Sequence, residues 1–245
     1  MNQPVFSTAG DSAALHYAAR LLEQWGYKVL PTPGPEVSHL LLPAPSFEKE
    51  GVIKGGISLE ATLERLPAAI TVMGGNLPPL PCRAVDFLKD EHYLWENAAI
   101  TAQCALGLIQ KHREHLSGAE VLIIGWGRIG KHLAGLMAQA GAAVSVAARK
   151  AQDQLAAKAA GFQGVETGKW DLARYGIIVN TAPARLLEQE EARPEALLVD
   201  LASVQGIVGD RVIWARGLPN KDAPDVSGML MAKTALRYAL GKEFI

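Results

Sequence analysis

The sequence lacks the features that mark secreted, membrane and nucleic-acid-binding proteins. It has two cysteines, Cys82 and Cys104, which are too few and too far apart for a zinc knuckle or a disulfide framework. No apolar run of about 18 residues could span a bilayer, and the N-terminus lacks the cationic start of a secretory signal. Because 24 Lys and Arg residues nearly balance 25 Asp and Glu residues, we expect neither nucleic acid nor a membrane as a partner. These absences favour a reduced, cytoplasmic protein.

The chain is long enough for two domains. It has 245 residues, of which 49% are hydrophobic, so two small units around a cleft are feasible. Short apolar segments alternate with amphipathic helices over residues 1–93, which predicts a small α/β domain. The second domain is predicted over residues 94–223 and includes a linking helix. The last helix, residues 224–245, is expected to pack back on the first domain.

The most informative segment is "EVLIIGWGRIGKHLAGLMAQAGAAVSVAARK". Gly125, Gly127 and Gly130 form G-x-G-x-x-G directly after an apolar strand, and a helix and a second strand follow. In this arrangement the first glycine permits a tight turn, the second lets backbone N–H groups approach a pyrophosphate, and the third lets helix and strand pack closely. The order predicts a Rossmann-type, doubly wound parallel α/β sheet with a dinucleotide site. The alternative is a tight turn that binds nothing.

The end of the second strand distinguishes between dinucleotides. NAD-binding versions place an acid there, about 20 residues beyond the first glycine, to bind the ribose hydroxyl. Ala148 stands at that place, Arg149 and Lys150 follow, and no acid occurs between Glu120 and Asp153. Because an arginine binds a 2′-phosphate that an acid would repel, the sequence predicts NADP as cofactor. The alternative is that both cations are solvated loop residues.

Three later segments, "YGIIVNTAP", "ALLVDLAS" and "RVIWARGLPN", are predicted strands whose carboxyl ends line the crevice for the nicotinamide. The predicted cofactor-binding residues are Gly125, Gly127, Arg128, Ile129, Gly130, Arg149, Lys150, Thr181, Ala182, Pro183, Ala202 and Pro219.

Several segments together resemble one known family. They are "VLIIGWGRIGKHLA" with "VSVAAR", "VNTAP", "VDLAS" with Gly206, "GLPNKDAP" with Gly228, and "WENAAITAQCAL". In these segments the chain resembles the NADPH-dependent A subunit of dipicolinate synthase. The segments are spread over nearly the whole length of the chain. The resemblance implies a two-domain protein of sporulation that transfers a hydride from a cyclic dihydropyridine dicarboxylate to NADP. It also implies that the partner is a second synthase subunit, and we expect a homo-oligomer such as a dimer.

A dicarboxylate substrate requires cations or converging N–H donors. Lys221, just beyond "GLPN", is the best-placed cation, although a solvated lysine is the alternative. Asn97 and Thr101 lie four residues apart on the linking helix, so one face presents both; a helix-cap role is their alternative. The substrate is expected in the cleft between the domains.

Two further positions complete the predicted substrate site. Ser203 ends a strand beside the expected nicotinamide, and Ser203 and Lys221 are the predicted catalytic residues. Gly10 and Asp11 open the first helix, whose N–H groups could hold a carboxylate; a plain cap role for Asp11 is the alternative. No metal site is predicted.

Other functions have weaker support. D-2-hydroxy acid dehydrogenases resemble this domain order, but they need an arginine after the strand at Ser203 and then a Glu and a His, and "SVQGIVGDRVIWARGLPN" contains no histidine. Two alternatives stay open beside the dicarboxylate oxidoreductase. One is an NADP-dependent dehydrogenase of another carboxylated substrate. The other is an NADPH-binding regulatory or partner subunit without turnover, which is favoured by departures from the family at Ile100, Gln103, Asn220, Asp225 and Val226.

Overall fold

The computed structural model describes residues 3–241, which divide into two compact units. The described residues 3–97 and 219–241 form the first unit, and residues 98–218 form the second. These limits differ from the predicted ones at 93 and 223 because the chain passes between the units inside two helices, Glu91–His112 and Leu218–Asp222. The predicted last helix ended at residue 245, and residues 242–245 lie outside the described residues.

From residue 3 onward, the first part of the described chain contains eight strands, two α-helices and a third, long α-helix that continues into the second unit. Its elements are β1 (Val5–Thr8), α1 (Ala13–Gln24), β2 (Lys28–Leu30), β3 (His39–Leu41), β4 (Phe47–Lys49), β5 (Val52–Ile53), β6 (Ile57–Ser58), α2 (Leu59–Leu63), β7 (Thr71–Gly74), β8 (Arg83–Asp86) and α3 (Glu91–His112). Five strands form a parallel sheet in the order β2-β1-β3-β7-β8. The short antiparallel strands β4, β5 and β6 were not predicted, because two or three residues show no hydrophobic period.

The rest of the chain builds the second sheet and returns to the first unit. Its elements are β9 (Glu120–Ile124), α4 (Arg128–Gln139), β10 (Ala143–Ala148), α5 (Ala151–Ala159), β11 (Gln163–Glu166), β12 (Ile177–Asn180), β13 (Leu187–Glu188), β14 (Leu197–Asp200), β15 (Ile207–Val208), β16 (Ile213–Trp214), α6 (Leu218–Asp222) and α7 (Pro224–Leu240). Six parallel strands lie in the order β11-β10-β9-β12-β14-β16. This is the doubly wound order of dinucleotide-binding domains, and the predicted α/β fold class is confirmed.

Strand β9 lies at the centre of this sheet and is buried on both faces. Val121 and Ile123 belong to the hydrophobic cluster on one face, whereas Leu122 and Ile124 belong to the cluster on the other. Successive side chains of a strand point to opposite faces, so an unbroken apolar run is what a strand covered on both sides requires. The apolar segment before the glycine motif therefore has the predicted double burial.

Helix α7 packs against α1 within the first unit. The shared hydrophobic core includes Ala14, Leu15, Ala18 and Leu22 of α1 and Met231, Ala232, Ala235 and Leu236 of α7. A Cβ on Gly228 would lie 2.5 Å from Cβ of Tyr17, so the two helices approach closely only because this residue is glycine. At the other end, Tyr238 and Arg237 both bond to the buried carboxylate of Asp90.

The described residues provide neither a membrane-spanning helix nor a metal-binding cluster. No helix among them combines the length and the apolar content that crossing a membrane requires. No group of three or more His, Cys, Asp and Glu side chains in this part of the chain could hold a metal ion.

Candidate dinucleotide site

The glycine turn after β9 has the geometry that its sequence predicts. Gly125 has φ of +108°, and a Cβ there would lie 2.5 Å from Oγ1 of Thr181. A Cβ on Gly130 would collide with the carbonyl oxygen of Gly125, whereas a Cβ on Gly127 would meet no atom within 4 Å. The first and third glycines are therefore required by close packing. The second faces open space at the N-terminus of α4, where no side chain caps the helix.

A cavity of about 340 Å³ lies beside this turn, at the carboxyl ends of the central strands of the second unit. Its lining includes Gly125, Arg149, Lys150, Ala182 and Pro183 of the predicted cofactor residues. Helix N-termini with unpaired N–H groups favour phosphate groups. The cavity thus extends from the glycine turn to the end of β10.

The loop after β10 directs two cations to this cavity. Arg149 and Lys150 are exposed, and the carbonyl of Lys150 accepts the N–H groups of Asp153 and Gln154 at the start of α5. Nε2 of Gln154 donates to the carbonyl of Ala148 at 2.8 Å, which fixes the course of the loop. Asp153 also lines the cavity, so one acid lies in the same space as the two cations.

The other predicted cofactor residues lie in several places. Arg128 and Ile129 are in the first turn of α4. Thr181 supports the glycine turn, because its Oγ1 donates to the carbonyl of Ile124 at 3.0 Å. Ala202 follows β14 and is not part of the cavity lining, and Pro219 belongs to the first unit.

A buried polar pair that the sequence analysis did not single out organises the neighbouring loops. Asn180 and Asp200 are fully buried at the ends of the paired strands β12 and β14, and Nδ2 of Asn180 donates to Oδ2 of Asp200 at 3.1 Å. The carboxylate of Asp200 also accepts the N–H groups of Ala202, Gly206 and Ile207 at 2.7–2.9 Å. A satisfied buried carboxylate of this kind holds the following turn in one conformation. The sequence signal was a polar residue at the end of each of two consecutive apolar strands.

The predicted substrate residues on α3 and α6 are placed as follows. Asn97 and Thr101 lie in mid-helix, since α3 begins at Glu91 and ends at His112, so the alternative of a cap role is wrong. Thr101 is 9% exposed. Lys221 is exposed in the last turn of α6 rather than in a loop. Ser203 is exposed in the turn after β14.

Gly10 and Asp11 follow β1, but the first helix is capped by the next residue. Oγ of Ser12 accepts the N–H of Leu15 at 3.1 Å, so a cap role for Asp11 is also wrong. Gly10 has φ of +120°, and a Cβ there would lie 2.7 Å from Cδ of Pro43, which follows β3. The loops after β1 and β3 therefore pack tightly at the point where the strand order of the first sheet reverses, which is where open α/β sheets bind ligands.

Lys54 lies next to this reversal point and was missed by the sequence analysis. Its carbonyl accepts the N–H of Asp11 at 2.8 Å, and its side chain is half-buried. Burial lowers the pKa of the Lys54 ammonium, although the charge of Glu48 opposes the shift. No carboxylate among residues 3–241 lies within 4.0 Å of its Nζ. Lys54 is thus a second candidate cation for a carboxylate ligand.

With this geometry established, the comparisons with known proteins identify the class. Residues 98–191 match the family model of the D-isomer specific 2-hydroxyacid dehydrogenase, NAD binding domain. This match indicates a nicotinamide dinucleotide cofactor and, with the glycine turn, supports a dinucleotide-dependent oxidoreductase. It ends at residue 191, before Ser203.

Individual relatives show more closely which proteins this chain resembles. The chain is 26% identical to the dipicolinate synthase A subunit of Bacillus subtilis (strain 168) over 229 residues, which cover 82% of this chain and 77% of the relative. The crystal structure of the dipicolinate synthase A subunit from Bacillus halodurans matches with a TM-score of 0.82 at 21% identity, covering 97% of each chain. The structure of its Bacillus subtilis counterpart also gives 0.82, at 20% identity, covering 98% of this chain and 97% of the other. The resemblance expected from the sequence is confirmed.

Proposed function

We propose that this chain is an NADP-dependent oxidoreductase that transfers a hydride from a cyclic dihydropyridine dicarboxylate, such as dihydrodipicolinate, to NADP. The observation that carries the proposal is the cavity at the end of β10, where Ala148 replaces the usual acid and Arg149 and Lys150 line the wall. The 26% identity to the A subunit of a dipicolinate synthase supports the substrate class.

The second unit contains the features that such a cofactor requires. The backbone of the turn from Gly125 to Gly130 binds the pyrophosphate, which the N-terminus of α4 favours electrostatically. Arg149 binds the 2′-phosphate by its two-pronged guanidinium, and Lys150 adds a second charge. The Asn180–Asp200 pair keeps the two loops that follow it in place. When bound, NADP supplies the hydride acceptor.

The reaction is chemically simple once the substrate is oriented. Loss of a hydride and one proton converts the dihydropyridine ring to an aromatic pyridine, so NADPH and a proton are the co-products. Aromatisation makes the proton easy to lose, and a strong base is therefore unnecessary. This agrees with the lack of a histidine in the segment from Ser203 to Asn220.

The protein must instead bind two carboxylates. We assign Lys221 and Lys54 as the cations, with hydrogen bonds from Asn97 and Thr101 and from the backbone at Gly10. The N–H of Asp11 already donates to the carbonyl of Lys54, so we assign Asp11 to holding this loop in place beside the substrate. Ser203 is assigned to the nicotinamide side. A homo-oligomer and a second synthase subunit belong to the same proposal.

Two alternatives are distinguished by one kinetic experiment. Departures from the family at Asn220, Asp225 and Val226 favour either another carboxylated substrate or an NADPH-binding subunit without turnover. The test generates dihydrodipicolinate in situ and follows NADPH absorbance. Formation of NADPH and dipicolinate in equal amounts supports the proposal. NADPH binding without turnover, with or without the second synthase subunit, would overturn it in favour of a regulatory role, and turnover confined to other carboxylates would change only the substrate.

A further inference from the structure

A second polar cavity lies in the second unit at the opposite, amino-terminal edge of its sheet. It has a volume of about 370 Å³, and Arg113, Arg174 and Arg193 line it together with His115 and Glu120. Glu120 opens β9, Gly176 precedes β12, and Arg113 follows the last residue of α3. The dinucleotide cavity lies at the carboxyl ends of the same strands, so the two cavities are separate.

Two of these guanidinium groups are held close together. A Cβ on Gly176 would lie 2.6 Å from Nη1 of Arg113 and 2.7 Å from Nη2 of Arg193. The two nitrogens are therefore no more than 5.3 Å apart, the sum of these distances. Nη1 of Arg113 also donates to the carbonyl of Gly176 at 3.1 Å, which keeps it beside the other charge. Like charges at this distance repel unless an anion lies with them.

The acids in the neighbourhood neutralise this pair only in part. Glu120 is paired with Arg174, whose Nη2 donates to Oε1 at 3.1 Å and lies 3.0 Å from Oε2, which is buried and accepts no hydrogen bond. Nε of Arg193 lies 3.5 Å from the exposed Glu195, but this nitrogen is buried and makes no hydrogen bond. No carboxylate of the described chain lies within 4.0 Å of Arg113. Three arginines against Glu120 and Glu195 leave an excess of one positive charge here, in a chain whose net charge is -1.

We propose that this arginine cavity, formed by Arg113, Arg174 and Arg193, binds a phosphate dianion, either free phosphate or the phosphate of a small phosphomonoester. Arg113 and Arg193 supply guanidinium groups from two separate segments for the oxygens of a phosphoryl group, while Arg174 stays paired with Glu120 and lines the cavity beside them. A water molecule takes about 30 Å³ in the liquid, so the cavity also has room for an organic substituent.

The experiment compares thermal unfolding in phosphate and in chloride at equal ionic strength. We expect phosphate to raise the Tm of the wild-type protein in a saturable way by at least about 2 °C, which is a measurable shift for a chain of this size. In chloride, Arg193→Gln should leave the Tm unchanged or raise it, because one of two repelling charges is removed. In phosphate, the same variant should melt below the wild type. This reversal of order is specific to an anion site.

Matched variants separate this cavity from other cations. Arg185→Gln removes an exposed arginine of the same unit that pairs with Glu188, and it should keep the full phosphate shift. Arg149→Ala measures the part of the shift that comes from phosphate bound in the dinucleotide cavity, and the remainder of the shift should stay. Arg113→Gln is the second variant, in case Arg193→Gln does not unfold cooperatively, and it should lose the shift.

Comparing two ligands shows whether the cavity prefers free phosphate or a phosphomonoester. A larger shift with glycerol phosphate than with inorganic phosphate indicates a phosphomonoester, and equal shifts indicate the free ion. The proposal is overturned if phosphate gives no shift beyond chloride. It is also overturned if both arginine-cavity variants keep the shift, or if Arg149→Ala abolishes it.

Discussion

Replacing Arg149 by alanine tests the cofactor assignment directly. Arg149 is exposed immediately after β10, and it lines the dinucleotide cavity with Lys150, while Ala148 stands where NAD-binding domains have an acid. Loss of a charge-assisted contact costs roughly 1.5–3 kcal/mol, which is about tenfold to a hundredfold in affinity. The Arg149 side chain is exposed and Lys150 remains in place, so we expect the lower end of this range, about a tenfold loss of affinity for NADPH. NADH, which has no 2′-phosphate, should lose less than about twofold.

Asp153→Asn is the matched control, since Asp153 lines the same cavity with the opposite charge. If Arg149 binds a 2′-phosphate, removing the acid should leave NADPH affinity unchanged or raise it slightly. Isothermal titration measures the affinity of each protein for NADPH and for NADH, each at low and at high salt. The NADPH loss of Arg149→Ala should shrink at high salt, because exposed charges are screened beyond about 10 Å at 0.1 M.

Two outcomes would refute the reasoning. Equal weakening of NADPH and NADH by Arg149→Ala would mean that the arginine acts on a part common to both cofactors. A loss of NADH affinity in Asp153→Asn, with unchanged NADPH affinity in Arg149→Ala, would identify Asp153 as the ribose-binding acid and NAD as the cofactor.

Three further predictions concern the substrate, the buried pair and the pH dependence. Lys221→Ala should raise the Michaelis constant for the dicarboxylate at least about tenfold and leave NADPH affinity unchanged; steady-state kinetics with unchanged constants would remove Lys221 from the site. Asp200→Asn should destabilise the second unit by about 1–3 kcal/mol, because buried N–H groups lose a charged acceptor; an unchanged denaturant midpoint would contradict this. For Asp90, burial by itself would raise the pKa, but the bonds from Tyr238, the backbone N–H of Tyr93 and Arg237 together lower it from its ordinary 3.8. The stability that Asp90 contributes should therefore be present above pH 3.8 and be lost as the pH falls below it, so the wild type and Asp90→Asn should converge in Tm only in acid.

The parts of the fold that were predictable are those where a residue type is required by the backbone. Gly125 and Gly130 are required by packing, so their spacing alone indicated the turn, and β9 is covered on both faces, so its apolar run was unbroken. The sequences of helix α5 and strand β11 contain no comparable pattern, so neither element was predicted. On α5 only Ala157 is buried, which leaves almost no amphipathic period over Ala151–Ala159.

The missed polar residues depend on register rather than on local sequence. Asn180 and Asp200 are twenty residues apart, and they meet because β12 and β14 pair with Asn180 opposite Asp200. Lys54 follows a two-residue strand, and its position beside Asp11 depends on the packing of the β4–β6 segment. The residues next to each partner in the sequence therefore do not reveal either contact. The rule that parallel strand ends share one edge could have paired Asn180 with Asp200, whereas no comparable rule leads to Lys54.

Cofactor class and cofactor choice therefore depend on different kinds of residue. The class of cofactor follows from the shape of the backbone. A Cβ on Gly130 would collide with the Gly125 carbonyl, so a larger residue there would prevent this turn from forming. The choice between NAD and NADP depends on charge after β10, where Arg149, Lys150 and Asp153 line one cavity with opposite signs. We therefore expect a change of one charge there to alter cofactor preference without altering the fold, because these side chains lie outside the hydrophobic clusters of the sheet. Fold comparison alone consequently leaves this choice open, and the paired variants at Arg149 and Asp153 measure it.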